Sequence, residues 1–309
     1  MAGGMIWVGL AAGLLVVAAW PLSEALRRPM DARARAGAPG QVVDLPGGRT
    51  HLIWQGPAGA PVAVVLHGLT TGSYILDGVA AGLVRRGYRV LRYDLYGRGY
   101  SDRPRGVQDR AFFLRQLEAV LDSQRLDRDL TLVGYSMGGA ILTAFAADHP
   151  ARVRRLVLLA PAGLGQTPPG LADLVARLPG LGDWVMAVIG GGVLRRMAQQ
   201  VGRVRGLPAG LIAAQIAETR FRGFLSAVLS SLRHMLARDL AAEHRALAEA
   251  GVPVLAIWAG RDEAISAQAR DRLAALNPGA GQLLLPEACH ALPVTHVPEI
   301  VAAIPPAGS

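Results

Sequence analysis

The sequence predicts a mostly parallel α/β sheet covered by helices on both faces and interrupted once by a helical insertion. Three observations lead there. Short apolar runs alternate with stretches of helical periodicity along most of the chain, the pattern of strand–helix–strand units. Several of those runs, such as 62–66 and 130–133, are apolar without alternation, as strands buried on both faces are. Between 163 and 251 the strand pattern stops and only helical spacing continues.

The elements follow in order. Runs 41–45 and 49–54 flank Pro46-Gly47-Gly48, a hairpin signal. Strand 62–66 comes next, then a helix over 77–86 ended by Gly87, then strand 89–93. A helix is expected over 110–125, a strand over 130–134, a helix over 138–148 stopping before Pro150, and a strand over 156–159. The insertion carries apolar helical stretches at 171–178, 184–188, 211–216 and 224–236. Strands 254–258 and 282–285, separated by a helix over 267–276, complete a count of eight. The expected division is a core of 41–162 and 251–309 with a helical cap, 163–250, inserted after the sixth strand.

With 309 residues, 51% of them hydrophobic and 18% charged, the chain has material for one large core. The net charge of +9 does not mark a nucleic-acid binder. All 32 basic residues are arginine, scattered through helices and loops, and aromatics for base stacking make up only 5%. A single cysteine, Cys289, excludes an internal disulfide and a thiolate metal cluster.

Ala2 to Ser23 carries no charge, and roughly 20 apolar residues span a bilayer core. Trp7 and Trp20 sit near the ends of the stretch, and Arg27, Arg28, Arg33 and Arg35 follow it. These features predict a single-pass anchor over 5–22, within an N-terminal unit of 1–23 and followed by a linker over 24–40. The following arginines place the remaining domain in the cytoplasm. The alternative is a signal peptide and a periplasmic or secreted domain, although residues 1–6 lack the basic start usual for one.

The strongest motif is Gly134-Tyr135-Ser136-Met137-Gly138, between a strand and a helix. A nucleophilic serine needs a sharp strand-to-helix turn that exposes its hydroxyl, and the helix N-terminus beneath favours developing negative charge. His67-Gly68-Leu69 follows strand 62–66. The amides of Leu69 and Met137 are the natural pair of oxyanion donors, while His67 is expected to brace its loop. Asp262 follows strand 254–258, with Glu263 as the fallback acid, and His290 lies just past strand 282–285. His51, His149, His234, His244 and His296 are assigned no role, and Cys289 is expected to be a small packed residue.

The order Ser136, Asp262, His290, on these strand ends, resembles the α/β-hydrolase family over about residues 41–305. The stretch 93–104 is similar to the family's D-x-x-G-x-G-x-S loop, matched by Asp94, Gly97, Gly99 and Ser101. That loop is expected to be architectural. One departure is Ala288-Cys289 before the histidine, where members often carry glycine.

The resemblance implies the α/β-hydrolase fold, an acyl-enzyme mechanism and no metal or organic cofactor. Its implied substrate is a small-molecule or lipid carboxylic ester. Hydrolysis of a carbon–carbon bond in a meta-cleavage product is the alternative on the same motifs, and a non-catalytic binding protein on the same fold is a third reading. Serine at position 136 separates the chain from the family's haloalkane dehalogenases and epoxide hydrolases, for which a carboxylate is expected there.

Overall fold

Strands without alternating polarity need cover on both faces, and the computed structural model provides it. The structure describes residues 7, 17–165 and 171–308. Eight strands form one sheet: β1 (Gln41–Leu45), β2 (Gly48–Gln55), β3 (Val62–Leu66), β4 (Arg89–Tyr93), β5 (Leu130–Tyr135), β6 (Val153–Leu159), β7 (Val254–Ala259) and β8 (Gly281–Leu285). Their order is β1-β2-β4-β3-β5-β6-β7-β8. β1 and β2 form the antiparallel hairpin the Pro-Gly-Gly turn predicts, and β2 pairs antiparallel with β4. From β4 to β8 every pairing is parallel.

The chain runs from β3 outward to β4 and then back across β3 to β5. That reversal is a topological switch point, and ligand crevices in open α/β sheets form at the carboxyl ends of the strands beside it. The central strands β3 and β5 are buried almost end to end.

Helix Asp77–Arg85 packs against Val297–Ala303, so closely that a Cβ on Gly82 would stand 2.2 Å from Val301 Cγ2. Helix Met137–Asp148 lies against Arg110–Ser123 and Ala241–Glu249. It is buried all round from Met137 to Ala146, which explains why it lacks an amphipathic stripe. Between β6 and β7 the helices Leu171–Arg177, Leu181–Val185, Gly191–Arg205, Ala209–Glu218 and Phe224–Arg233 form the insertion. Phe224, Leu225 and Val228 give it a small core of its own. Ala241–Glu249 falls inside the expected cap, 163–250, yet packs on Met137–Asp148 and Ala267–Leu276, so its contacts join it to the sheet layer.

The expectation of a single-pass membrane protein with a cytoplasmic domain is overturned. No helix among the described residues is long and apolar enough to cross a membrane. Of the span expected over 5–22, residues 5, 6 and 8–16 lie outside the described residues. Residues 17–25 are helical, and the polar groups that follow bind the cap. Gly223 N donates to Glu24 Oε2 at 3.1 Å, Arg222 Nη2 to the Ala25 carbonyl at 2.9 Å, and Arg27 to the carbonyl of Ala187. The stretch 24–40, expected as a linker, is likewise tied down. Arg35 donates to the Tyr100 carbonyl at 2.8 Å and pairs with Asp102.

One buried group gives the fold a pH dependence. His244, on Ala241–Glu249, is fully buried, and neither ring nitrogen has a hydrogen-bond partner among the described residues. Burial pulls its pKa from 6.5 down to about 4. The folded protein therefore holds the neutral ring while the unfolded chain takes up a proton, so the contribution of this group is undiminished above pH 6.5 and becomes increasingly unfavourable as pH drops toward 4. Replacing His244→Leu should remove this penalty. In urea titrations the variant should gain on the parent by on the order of 1–3 kcal/mol between those limits. A difference that does not change with pH would show that the buried ring is not the neutral form.

Candidate active site

The site begins with backbone geometry. Ser136 follows β5 with φ 52° and ψ −117°, a positive φ that a non-glycine residue holds only when its surroundings enforce it. Here they do. Ser136 N donates to the Leu159 carbonyl of β6 at 2.9 Å, and the Ser136 carbonyl accepts from Ala140 N and Ala162 N, both at 3.2 Å. Glycines make the turn possible by close approach. A Cβ on Gly138 would stand 2.3 Å from the Leu66 carbonyl oxygen, and one on Gly134 would stand 2.6 Å from Gly139 Cα.

The structure brings Ser136, His290 and Asp262 together from three strand ends. Ser136 Oγ lies 3.1 Å from His290 Nε2. His290 Nδ1 lies 2.9 Å from Asp262 Oδ2, so the carboxylate accepts the Nδ1 proton and leaves Nε2 to accept from the serine. Asp262 Oδ1 accepts from Ala264 N at 2.8 Å and Ile265 N at 2.9 Å. Its side chain is 2% exposed and that of His290 is 28% exposed. Glu263 points away. Its side chain is 83% exposed and faces Arg205 at 3.2 Å.

The two expected oxyanion donors, Leu69 and Met137, belong to the loop and the helix that border the serine. Met137 opens its helix, so its amide has no acceptor within the helix. The loop bearing Leu69 abuts the serine, for a Cβ on Gly68 would stand 3.3 Å from Ser136 Cβ. His67 braces this loop as expected. Its Nε2 accepts from Leu95 N at 2.9 Å, so Nδ1 carries the proton and donates to the Gly68 carbonyl at 2.9 Å. Burial holds the ring neutral, with its pKa pulled down to about 4. The Gly68 carbonyl and the Leu69 N–H belong to one planar trans peptide, so His67 also fixes the direction of that N–H.

Several polar residues around the site were not singled out from the sequence. Tyr135 Oη donates to the His290 carbonyl at 2.9 Å, and the two rings lie 5.2 Å apart. His51, on β2, is buried with Asp94 at 2.7 Å. Glu218, at the end of cap helix Ala209–Glu218, accepts from Gly99 N at 2.9 Å. Burial pushes its carboxyl up to about 7. Arg98 lies buried between Gly97 and Gly99. The sequence signal available for it was a charged residue held between two glycines of the 94–101 loop. Cys289 is buried and unpaired. No cluster of three His, Cys, Asp or Glu side chains among the described residues could hold a metal ion.

The model of the alpha/beta hydrolase fold family matches residues 61–297, from β3 to the last helix. The chain belongs to the alpha/beta hydrolase family. A haloalkane dehalogenase of Mycobacterium marinum is 38% identical over 131 residues, 40% of this chain and 43% of that protein. The chain thus spans less than half the length of the curated relatives it matches first. Among solved structures, the enol-lactonase of Burkholderia xenovorans superposes with a TM-score of 0.69 at 24% identity, covering 85% of this chain and 97% of that one. The carboxylesterase CesB of Bacillus subtilis superposes with a TM-score of 0.68 at 22% identity, covering 94% and 96%. At that identity the structures speak for the fold.

The tight elbow sets a test. A methyl group at Gly138 must displace backbone oxygens of Leu66 and His67, and overpacking of that kind costs ~1–3 kcal/mol. Gly138→Ala should lower the urea midpoint accordingly. An unchanged midpoint would mean that the elbow has slack.

Proposed function

We propose that this hydrolase cleaves carboxylic esters through an acyl-enzyme on Ser136. The observation that carries the reading is the unbroken line from Ser136 through His290 to Asp262, at 3.1 and 2.9 Å, on a backbone turn held at positive φ. His290 takes the serine proton as Oγ attacks the ester carbonyl. Asp262 keeps the imidazole in the Nδ1–H tautomer and stabilises the imidazolium that forms. The amides of Leu69 and Met137 receive the oxyanion, helped by the N-terminal end of helix Met137–Asp148. His290 returns its proton to the leaving alcohol, and then activates the water that releases the acid.

An apolar acyl group suits the surroundings. Leu69 packs against the cap core of Phe224, Leu225 and Val228, alongside Met186, Leu194 and Leu232. Burying such a chain stabilises its complex by ~0.8 kcal/mol per methylene. The carboxylesterase and the enol-lactonase among the solved structures carry names that fit ester cleavage. The haloalkane dehalogenase relative does not redirect the reading, because position 136 holds a serine and not the carboxylate expected of that chemistry.

A fluorophosphonate probe should label the wild-type protein, and Ser136→Ala should abolish both labelling and hydrolysis, with a loss of at least about 10⁴-fold. A protein that takes no label, or a variant that keeps the parental rate, rejects the acyl-enzyme. A series of p-nitrophenyl esters should show rising kcat/KM from acetyl toward medium chains. A meta-cleavage product turned over faster than every ester would move the reaction to carbon–carbon bond hydrolysis.

The two neighbouring acids should separate in kinetics. Asp262→Asn should lower kcat by roughly 10³- to 10⁴-fold, as loss of the orienting charge does in such triads. Glu263→Gln should stay within about threefold, since that carboxylate lies on the surface with Arg205. The reverse ranking would shift the acid by one residue.

A further inference from the structure

Arg98 is fully buried, and its partners are carbonyls, an amide oxygen and a hydroxyl, with no carboxylate among the described residues at ion-pair distance. Its five N–H groups reach three parts of the molecule. Nε donates to the Leu69 carbonyl at 2.9 Å. Nη1 donates to the Tyr96 carbonyl at 3.0 Å and to Gln108 Oε1. Nη2 donates to Ser231 Oγ at 2.8 Å and to the Ala227 carbonyl at 3.3 Å. Ala227 and Ser231 belong to cap helix Phe224–Arg233. That helix presses so close to the loop that a Cβ on Gly97 would stand 2.4 Å from Ala227 Cβ.

Leu69 is gripped on all sides by this arrangement. The peptide before it is fixed by His67 through the Gly68 carbonyl, and the peptide after it is fixed by Arg98 through the Leu69 carbonyl. A hydrogen bond to each flanking peptide plane restricts rotation about the φ and ψ of Leu69. Among the described residues, Leu69 is also the one side chain that packs against both the main core and the cap core.

We propose that Arg98 is a positioning residue that transmits the seating of the cap helix Phe224–Arg233 to the Leu69 amide, so that this donor is aimed at the oxyanion only when the cap is in place. The coupling runs through one planar guanidinium, whose fork holds Leu69 from one side and Ser231 and Ala227 from the other. A lysine has three donors on a point charge and cannot span both. Oxyanion donors must be held within about half an ångström of their productive position, so a small shift at the cap end reaches the reacting centre. The inference rests on the acyl-transfer reading above.

The test uses the full chain with Arg98→Lys and, separately, Ser231→Ala, which leaves the guanidinium in place and removes only its cap hydroxyl. For each, kcat and KM are measured on the best p-nitrophenyl ester. The affinity of a trifluoromethyl ketone with the same acyl chain is measured beside them, since its tetrahedral adduct carries the oxyanion. Arg98→Lys should lower kcat by ~10- to 100-fold with KM within about threefold, and should weaken the ketone by a similar factor. Ser231→Ala should move both quantities in the same direction by ~3- to 10-fold. A raised KM at unchanged kcat, or a fall in kcat without loss of ketone affinity, overturns the coupling. Should Arg98→Lys fail to fold, Ser231→Ala decides alone. A wild-type protein that hydrolyses no ester and takes no fluorophosphonate label removes the acyl-transfer reading and this inference with it. An active, labelled wild type with unaltered variants removes only the role of Arg98.

Discussion

The turn at Ser136 is where the sheet, the helices and the candidate chemistry constrain one another. A serine at φ 52° is strained by itself. It persists because its amide and carbonyl are hydrogen-bonded to β6 and to the loop after it, and because Gly138 sits against the backbone of Leu66 and His67. β3, β5 and β6 must therefore lie at their observed spacing for the elbow to exist. The same spacing brings the Gly68–Leu69 loop against the serine and sets the N-terminus of a ten-residue buried helical stretch beneath it. Strain at the turn and rigidity around it are two aspects of one arrangement, and the packing of Leu132, Ile141, Leu158 and their neighbours holds both.

The loop after β4 distributes buried charge between the core and the cap. Burial by itself would push the Asp94 carboxyl up. Its hydrogen bond with His51 and the amide of Ser73 outweigh that and hold it well below the ordinary carboxylate range. His51 is raised in turn despite its own burial, because Asp94 favours the imidazolium and the Pro39 carbonyl accepts from the other ring nitrogen. Arg103 and Glu218 face each other across the loop at 3.5 Å. Such groups are costly to bury unless each finds partners, and nearly every partner here lies on a different element. The network ties the cap to the loop after β4 through Glu218, which meets both Arg103 and the Gly99 amide.

The arginines that follow the apolar N-terminal stretch are held by partners distant in the chain. Arg27, Arg28 and Arg35 look like the positive flank of an anchor, but the side chains of Arg27 and Arg35 and the backbone of Arg28 have partners on the protein itself. Arg27 and Arg35 bind cap and loop carbonyls, and the Arg28 backbone exchanges hydrogen bonds with Arg220 and Arg222. A count of charges along the chain carries no information about such partners, because they lie about 65 to 200 residues away in sequence.

The sequence by itself determined the eight strands, the hairpin turn, the insertion after β6 and the candidate residues Ser136, Asp262 and His290. Those features are local. Apolar runs, turn residues and a glycine-bracketed serine declare themselves within a dozen positions, and loops at the carboxyl ends of parallel strands all lie on the crevice side of the sheet. Only the tertiary structure decided that Asp262 and not its neighbour Glu263 meets the histidine, because one step along a turn points the side chain to the opposite side. It alone showed Ala241–Glu249 packed on the sheet layer and the 24–40 stretch pinned to cap and loop. The roles of Arg98, His51 and Glu218 were likewise invisible, since each is defined by hydrogen bonds to groups far away in the chain, and no periodicity records those.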